Sequence, residues 1–167
     1  MNSQALKDLQ APLKQQYRDN PSSAVVTLKA QGRLDAPGVS CRVETGRALV
    51  EAGLHPATGG SGMQACSGDM LLEALAACAG VTLRAVATAL EIPVRGGTVD
   101  VEGDLDFRGT LGVAKEAPVG FREIRLTLNL ESDATQEQLD TLLKLTERYC
   151  VVLQTLRSAP PVTAIVL

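Results

Sequence analysis

Four cysteines, Cys41, Cys66, Cys78 and Cys150, are the residues of this chain with the most chemistry to offer. A thiol can deprotonate to a strong nucleophile, bind a soft metal or climb the oxidation ladder, and its surroundings decide which of these it does. No two of the four stand in a Cys-x-x-Cys arrangement, and a single histidine, His55, makes a Cys/His zinc site a poor expectation. Taken singly, each cysteine reads first as a small buried hydrophobe. Cys78 and Cys150 are more pointed as a pair, because each lies on the inward side of a long predicted helix. Spacing alone does not say that they meet.

The chain around them has 167 residues, 45% of them apolar, with no Trp and only two Phe and two Tyr. That suits one domain, 1–167, with an aliphatic, alanine-rich core. The net charge of -3, from 16 basic and 19 acidic side chains, gives no basic stripe and so argues against nucleic acid as a partner. MNSQALKDLQAPLKQQYRDN at the N-terminus lacks the apolar run of a secretory signal. MLLEALAACAGVTLRAVATAL (70–90) nearly matches a bilayer in length, but Glu73 and Arg84 interrupt it, and a charge at such depth costs roughly 2.5 to 3.5 kcal/mol. It reads as the central helix of a soluble protein with no membrane partner. A reducing, cytoplasmic location follows as the expectation.

The elements that must position the thiols read as strands, long helix, hairpin, long helix, strand. AVVTLKA (24–30), VSCRVET (39–45) and RALVEAGL (47–54) form the early strands, with Cys41 on an apolar face and Arg42 on the outer one. HPATGGSG (55–62) is a loop. The cysteine helix starts at Ser67 or Asp69, either of which could cap it. Its small residues, Ala74, Ala76, Ala77, Ala79 and Gly80, suit burial on most sides, and Pro93 with RGG (95–97) marks its end. VDVEGDLDF (99–107) alternates as a strand with an acidic outer face, RGTLGVAKEAPVG (108–120) is a long hairpin connection or mobile loop, and FREIRLTLNLE places Ile124, Leu126, Leu128 and Leu130 inwards. Thr135 and Gln138 have capping-box spacing, and Leu139, Leu142, Leu143, Thr146, Tyr149, Cys150 and Leu153 follow as one stripe. SAPP (158–161) ends that helix before a closing strand, VTAIVL.

GGSGMQACSGDMLLEALAACAGVTLRAVA resembles the OsmC/Ohr family's first signature, a glycine-rich loop leading into the helix of the reactive cysteine. LTERYCVVLQTL resembles its second, a Glu-x-x-Cys segment. The order of elements agrees over nearly the whole chain. The resemblance implies an α+β fold in which antiparallel sheets wrap two long central helices in an intertwined homodimer. It also implies a peroxidatic role for Cys78 and a resolving role for Cys150, with a small hydroperoxide as substrate, a dithiol as reductant, and no cofactor or metal. In such enzymes an arginine from the early sheet, oriented by an acidic residue near the start of the cysteine helix, holds the thiolate. Here the matching acid is Asp69, which could equally be a first-turn cap. Arg42 and Arg47 are the candidate cations, with Arg33 and Arg18 further candidates. Ser67 and Val151 stand where proline is common, which places the chain in a divergent branch.

The expected function is thiol-dependent reduction of organic hydroperoxides, and possible extension to hydrogen peroxide stays open. The alternative is a binding module that holds a small apolar molecule or lipid in a dimer-interface cleft. A structural or sulfur-transfer role for Cys78 is a third reading. A cysteine hydrolase is the weakest, since His55 is its only available base. Cys66, in a glycine-flanked loop, competes with Cys150 as a resolving thiol, although an inert role suits it better.

Overall fold

The structure, a computed structural model, describes residues 3–33, 42–43 and 52–166. In chain order its elements are α1 (Ser3–Asp19), a 3-10 turn (Pro21–Ala24), β1 (Val25–Arg33), β2 (Arg42–Val43), a second 3-10 turn (Pro56–Thr58), α2 (Ser67–Ala89), β3 (Val94–Asp106), α3 (Phe107–Thr110), β4 (Phe121–Ser132), α4 (Gln136–Tyr149) and α5 (Val151–Arg157). This is an α+β fold built on one small antiparallel sheet of order β2-β1-β3-β4, with Gly32 of β1 opposite Val43 of β2. The chain divides into two compact units, Met1–Ala30 with Glu44–Glu73 and Asp100–Thr127, and Gln31–Val43 with Ala74–Val99 and Leu128–Leu167. β1, α2, β3 and β4 contribute residues to both.

The first unit is organised by α1, an element that the N-terminal sequence conceals. Its charges and Pro12 obscure a stripe of Leu9, Leu13 and Tyr17 at helical spacing. Tyr17 and Ala24 bury with Phe107 and Leu111, flanked by Leu13, Val26, Ala57, Leu105 and Val113. The Tyr17 hydroxyl donates to the Ala57 carbonyl at 2.5 Å, which satisfies the polar end of a buried ring. Val101 and Gly103 of β3 face inwards as the alternation predicts, while Arg125 of β4 pairs with Glu102, Asp104 and Glu123 on the half-exposed side. Asp106 breaks the expected acidic outer face. It is 2% exposed, because its carboxylate caps α3 by accepting the Arg108 N–H and also grips the Arg108 guanidinium. The segment that follows is the expected long hairpin connection between β3 and β4, opened by the short α3 and packed through Leu111 and Ala117, which are buried.

The second unit carries most of α2, the paired ends of β3 and β4, and the two last helices. RGG lies inside β3 and does not end α2, which stops at Ala89. Gly97 has φ 143°, and a Cβ there would sit 2.1 Å from the Asn129 carbonyl oxygen on the neighbouring strand, so only glycine fits. α2 buries Leu72, Leu75, Ala76, Ala79, Gly80, Leu83, Arg84 and Ala87 at intervals of three and four. It is therefore buried along one stripe and not on most sides; Leu71, Val81 and Leu90 on other faces are 38% to 45% exposed. By length and hydropathy α2 is apolar enough to cross a membrane, and 44% of its most apolar window is buried within the protein.

The capping box at the start of α4 forms in both directions, Thr135 to Gln138 and back. The buried stripe is narrower than the sequence suggests, since Leu143 and Tyr149 turn outwards while Leu142, Thr146 and Cys150 are fully buried. Residues 162–166 form no strand; Val162, Ile165 and Val166 are exposed, and β propensity makes no ladder without a neighbouring edge. Replacing Gly97 by Ala combines a disfavoured φ with a backbone clash and is expected to cost about 2 to 4 kcal/mol. Thr135→Ala, which loses only a cap, should cost about 1 kcal/mol. Urea midpoints of the two variants should rank in that order.

Candidate active site around two cysteines

Cys78 lies in the middle of α2, half-buried, with Thr82 one helical turn ahead on the same side. Cys150 is fully buried, where the chain leaves the helical region between α4 and α5 at φ -70° and ψ 106°. The two thiols lie near enough to interact, and the interaction lowers Cys78 and raises Cys150, the directions a Cys150 thiol facing a Cys78 thiolate would give. All three free cysteines of the described residues, Cys66, Cys78 and Cys150, are reduced.

Burial pushes the Cys78 thiol up. The N–H of Val152, the Cys150 thiol, the Thr82 hydroxyl and the N–H of Val151 all donate to its sulfur, and together they hold it below the ordinary thiol range. Cys150 goes the other way, to about 11, first through burial and then because it is the donor to a neighbouring thiolate. The N–H groups of Leu153 and Val152 face its sulfur and oppose that rise, although the sulfur closes no capping bond of its own. The surroundings thus favour the charged form of Cys78 and disfavour that of the buried Cys150. The donors acting on Cys78 are neutral. Sequence reading missed Thr82 and the two main-chain amides; the i, i+4 spacing of Cys78 and Thr82 was visible, whereas the amides depend on a helix break that no motif announced.

The other expected site residues fall elsewhere. α2 begins at Ser67, with the Cys66 carbonyl accepting the Met70 N–H, so Asp69 sits in the first turn and not at the cap. In the first unit, burial raises the Asp69 carboxyl against an opposing effect of His55, and Glu73 is raised by burial and by Asp69. The His55 ring stacks on Phe107 at 4.9 Å, and its Nδ1 accepts the Ala57 N–H. Arg42 begins the short strand β2, but its side chain lies outside the described residues, as do Arg47 and Cys41 entirely. Among the described residues no group of three or more His, Cys, Asp or Glu side chains is placed to hold a metal.

The profile of the OsmC-like protein family matches residues 59–164, more than half of the sequence and both cysteine helices. The chain belongs to that family. Two solved structures share its fold. One is an OsmC-like hydroperoxide resistance protein from Jannaschia sp. CCS1, 20% identical, covering 83% of this chain and 91% of that one at a TM-score of 0.57. The other is an OsmC-like protein from Mycoplasma pneumoniae, 18% identical, covering 81% and 86% at 0.56. No curated protein matches by sequence.

Within this OsmC-like site Val151 offers a test. Cys150 already has the extended backbone that precedes a proline, and Val151 opens α5, where proline is tolerated. Val151→Pro should therefore fold while removing one N–H from the Cys78 sulfur, and Thr82→Val should remove the hydroxyl at nearly constant shape. Each should raise the Cys78 pKa, so that iodoacetamide alkylation of Cys78 at neutral pH slows about tenfold, the worth of one hydrogen bond to a charged group. The pH–rate profile, read by peptide mapping, should move to higher pH with an unchanged plateau.

Proposed function

We propose that this protein is a cysteine-based peroxidase that reduces organic hydroperoxides to alcohols. The observation that carries this reading is the nearness of the two thiols, with Cys78 held below the ordinary thiol range and Cys150 pushed above it. The Cys78 thiolate attacks the distal peroxide oxygen; an S–O bond forms, the O–O bond breaks, and the alkoxide leaves and takes a proton to become the alcohol. Cys78 is then a sulfenic acid. Cys150 loses its proton and attacks that sulfur, an S–S bond forms, and hydroxide departs with the proton as water. An external dithiol supplies two electrons and two protons to reopen the disulfide.

In this reading Arg42 or Arg47 adds a cation to the neutral donors at Cys78, and Asp69 orients it. Hydrogen peroxide reaches the same thiolate, but apolar surroundings favour an alkyl or aryl peroxide. Ser67 and Val151 support placement in a divergent branch of the family, and the reading takes 1–167 as a single domain in a cytoplasmic setting. The working form is a homodimer. In the second unit Val81, Leu90, Leu143, Tyr149 and Val151 are 40% to 71% exposed, apolar side chains that a partner subunit would cover. Sedimentation at micromolar concentration should give a dimer; a well-folded monomer removes this part of the proposal.

Stopped-flow oxidation with cumene hydroperoxide and with hydrogen peroxide tests the chemistry. The wild-type protein should react with cumene hydroperoxide faster than with hydrogen peroxide, and far faster than a small free thiol does. Cys78→Ser should abolish the rapid phase. Cys150→Ser should retain the first oxidation and lose turnover, and peptide mapping of the oxidised wild type should find a Cys78–Cys150 crosslink. A Cys66–Cys78 crosslink would reassign the resolving role, and a wild-type rate no greater than that of a free thiol would end the peroxidase reading.

A further inference from the structure

The first unit holds a cavity of about 420 Å³ that Cys78 and Cys150 do not line. Its walls are Leu54, Leu71, Leu105, Phe107, Val119 and Phe121. The chain has only two phenylalanines and one histidine, and both phenylalanines and His55 border this one space together with Cys66. In a protein so poor in rings, that concentration marks the cavity apart from an ordinary packing gap.

The polar side is as well defined as the apolar one. His55 is fixed by its stack on Phe107 and by the Ala57 N–H, which occupies Nδ1 at 3.0 Å. The proton of the neutral ring is therefore on Nε2, leaving a donor of set orientation. The main chain around it is closed: the His55 carbonyl accepts from Thr58 and Gly60, and the Gly53 N–H donates to the Ala65 carbonyl, which holds the segment before Cys66 against the segment before His55. Gly103 lets the Phe121 ring lie against β3, where a Cβ would come within 2.5 Å of that ring. At Gly120, by contrast, a Cβ would meet nothing within 4 Å. Among the described residues nothing fills the space next to Gly120, which borders the cavity.

We propose that this cavity binds a small aryl or alkyl molecule bearing one hydrogen-bond acceptor, with the hydrocarbon against the two phenylalanines and the acceptor on His55 Nε2–H. Cavities of this size with apolar walls and a few fixed polar groups are the usual form of small-molecule sites. The site is independent of the peroxidase chemistry, and Cys66 at its wall reports on occupancy.

Anilinonaphthalene sulfonate serves as the probe on the full-length wild-type protein. It should bind at one site per chain with enhanced fluorescence. At about ten times its Kd, only the free fraction leaves Cys66 open to iodoacetamide, so alkylation of Cys66 should slow about tenfold. Gly120→Trp, which fills the open side without a backbone clash, should abolish binding and protection while Cys78 and Cys150 still form their crosslink. Acetophenone should displace the probe at a concentration about fivefold lower than ethylbenzene, the difference of one hydrogen bond. Unchanged Cys66 alkylation under saturating probe overturns the proposal, as does full binding by Gly120→Trp. Equal displacement by the two aryl compounds removes the role given to His55. Protection of Cys66 that grows with protein concentration in the absence of probe would assign the cavity to contact between copies of this chain and overturn the small-molecule site.

Discussion

The cysteine site depends on a helix that stops for one residue. Cys150 N–H still bonds to the Thr146 carbonyl at 2.9 Å, and the Cys150 carbonyl already accepts the Gln154 N–H at 2.9 Å, so α4 ends and α5 begins at the same position. The first N–H groups of a helix have no intrahelical acceptor. Here those of Val151 and Val152 turn to the Cys78 sulfur, and those of Val152 and Leu153 face Cys150. Had α4 run on through Cys150, the Val151 and Val152 amides would have bonded to the carbonyls of Glu147 and Arg148. The Glu147 carbonyl released by the break accepts the Gln154 side chain at 2.7 Å, and its carboxylate holds Arg157 at 2.6 Å, so the interruption is closed by side chains from the helix it creates.

The other half of the site needs α2 to be held just as firmly, and a buried arginine does this. Arg84 is 7% exposed, and its guanidinium donates to the carbonyls of Val94 at 2.5 Å and Arg95 at 3.4 Å, at the start of β3. Its Nε is buried without a hydrogen-bond partner among the described residues. A charge placed there costs several kcal/mol before any compensation, and carbonyl dipoles supply part of it. The consequence for the site is a fixed junction: the helix that carries Cys78 leaves Ala89, turns, and returns as β3 with Arg84 bridging both. Ala76, Ala79 and Gly80, all buried, keep side chains out of the way on the packed stripe.

What the sequence disclosed divides along the same physical line. Features set by local pattern were legible: the capping box of α4, the alternation of β3 through Val99, Val101 and Gly103, and the two helices that carry the thiols. Features set by tertiary partners were not. Asp106 is buried because Arg108, two residues on, folds back on it, which a rule of alternating faces does not contain. Leu143 and Tyr149 fit the helical stripe of α4 in spacing, yet no neighbour among the described residues covers them, and residues 162–166, for all their β propensity, form no strand. The family motif named Cys78 and Cys150 as a pair, but the groups that tune them, three amides and a hydroxyl, carry no signature beyond the position of Thr82.

In the proposed reaction that tuning also sets an order of events. Cys150 is held up first by burial, then by donating to Cys78 and by the charge on Cys78, while the amides of Leu153 and Val152 pull the other way. Oxidation turns Cys78 from a thiolate into a neutral sulfenic acid, and the two contributions that come from the Cys78 thiolate disappear together. Burial and the amides remain. Cys150 is therefore hardest to deprotonate while Cys78 waits for peroxide and becomes easier to deprotonate once Cys78 has reacted, which is when a second nucleophile is needed. In that proposed sequence a buried Cys150, released by the chemistry of its neighbour, would resolve the sulfenic acid without competing for the substrate.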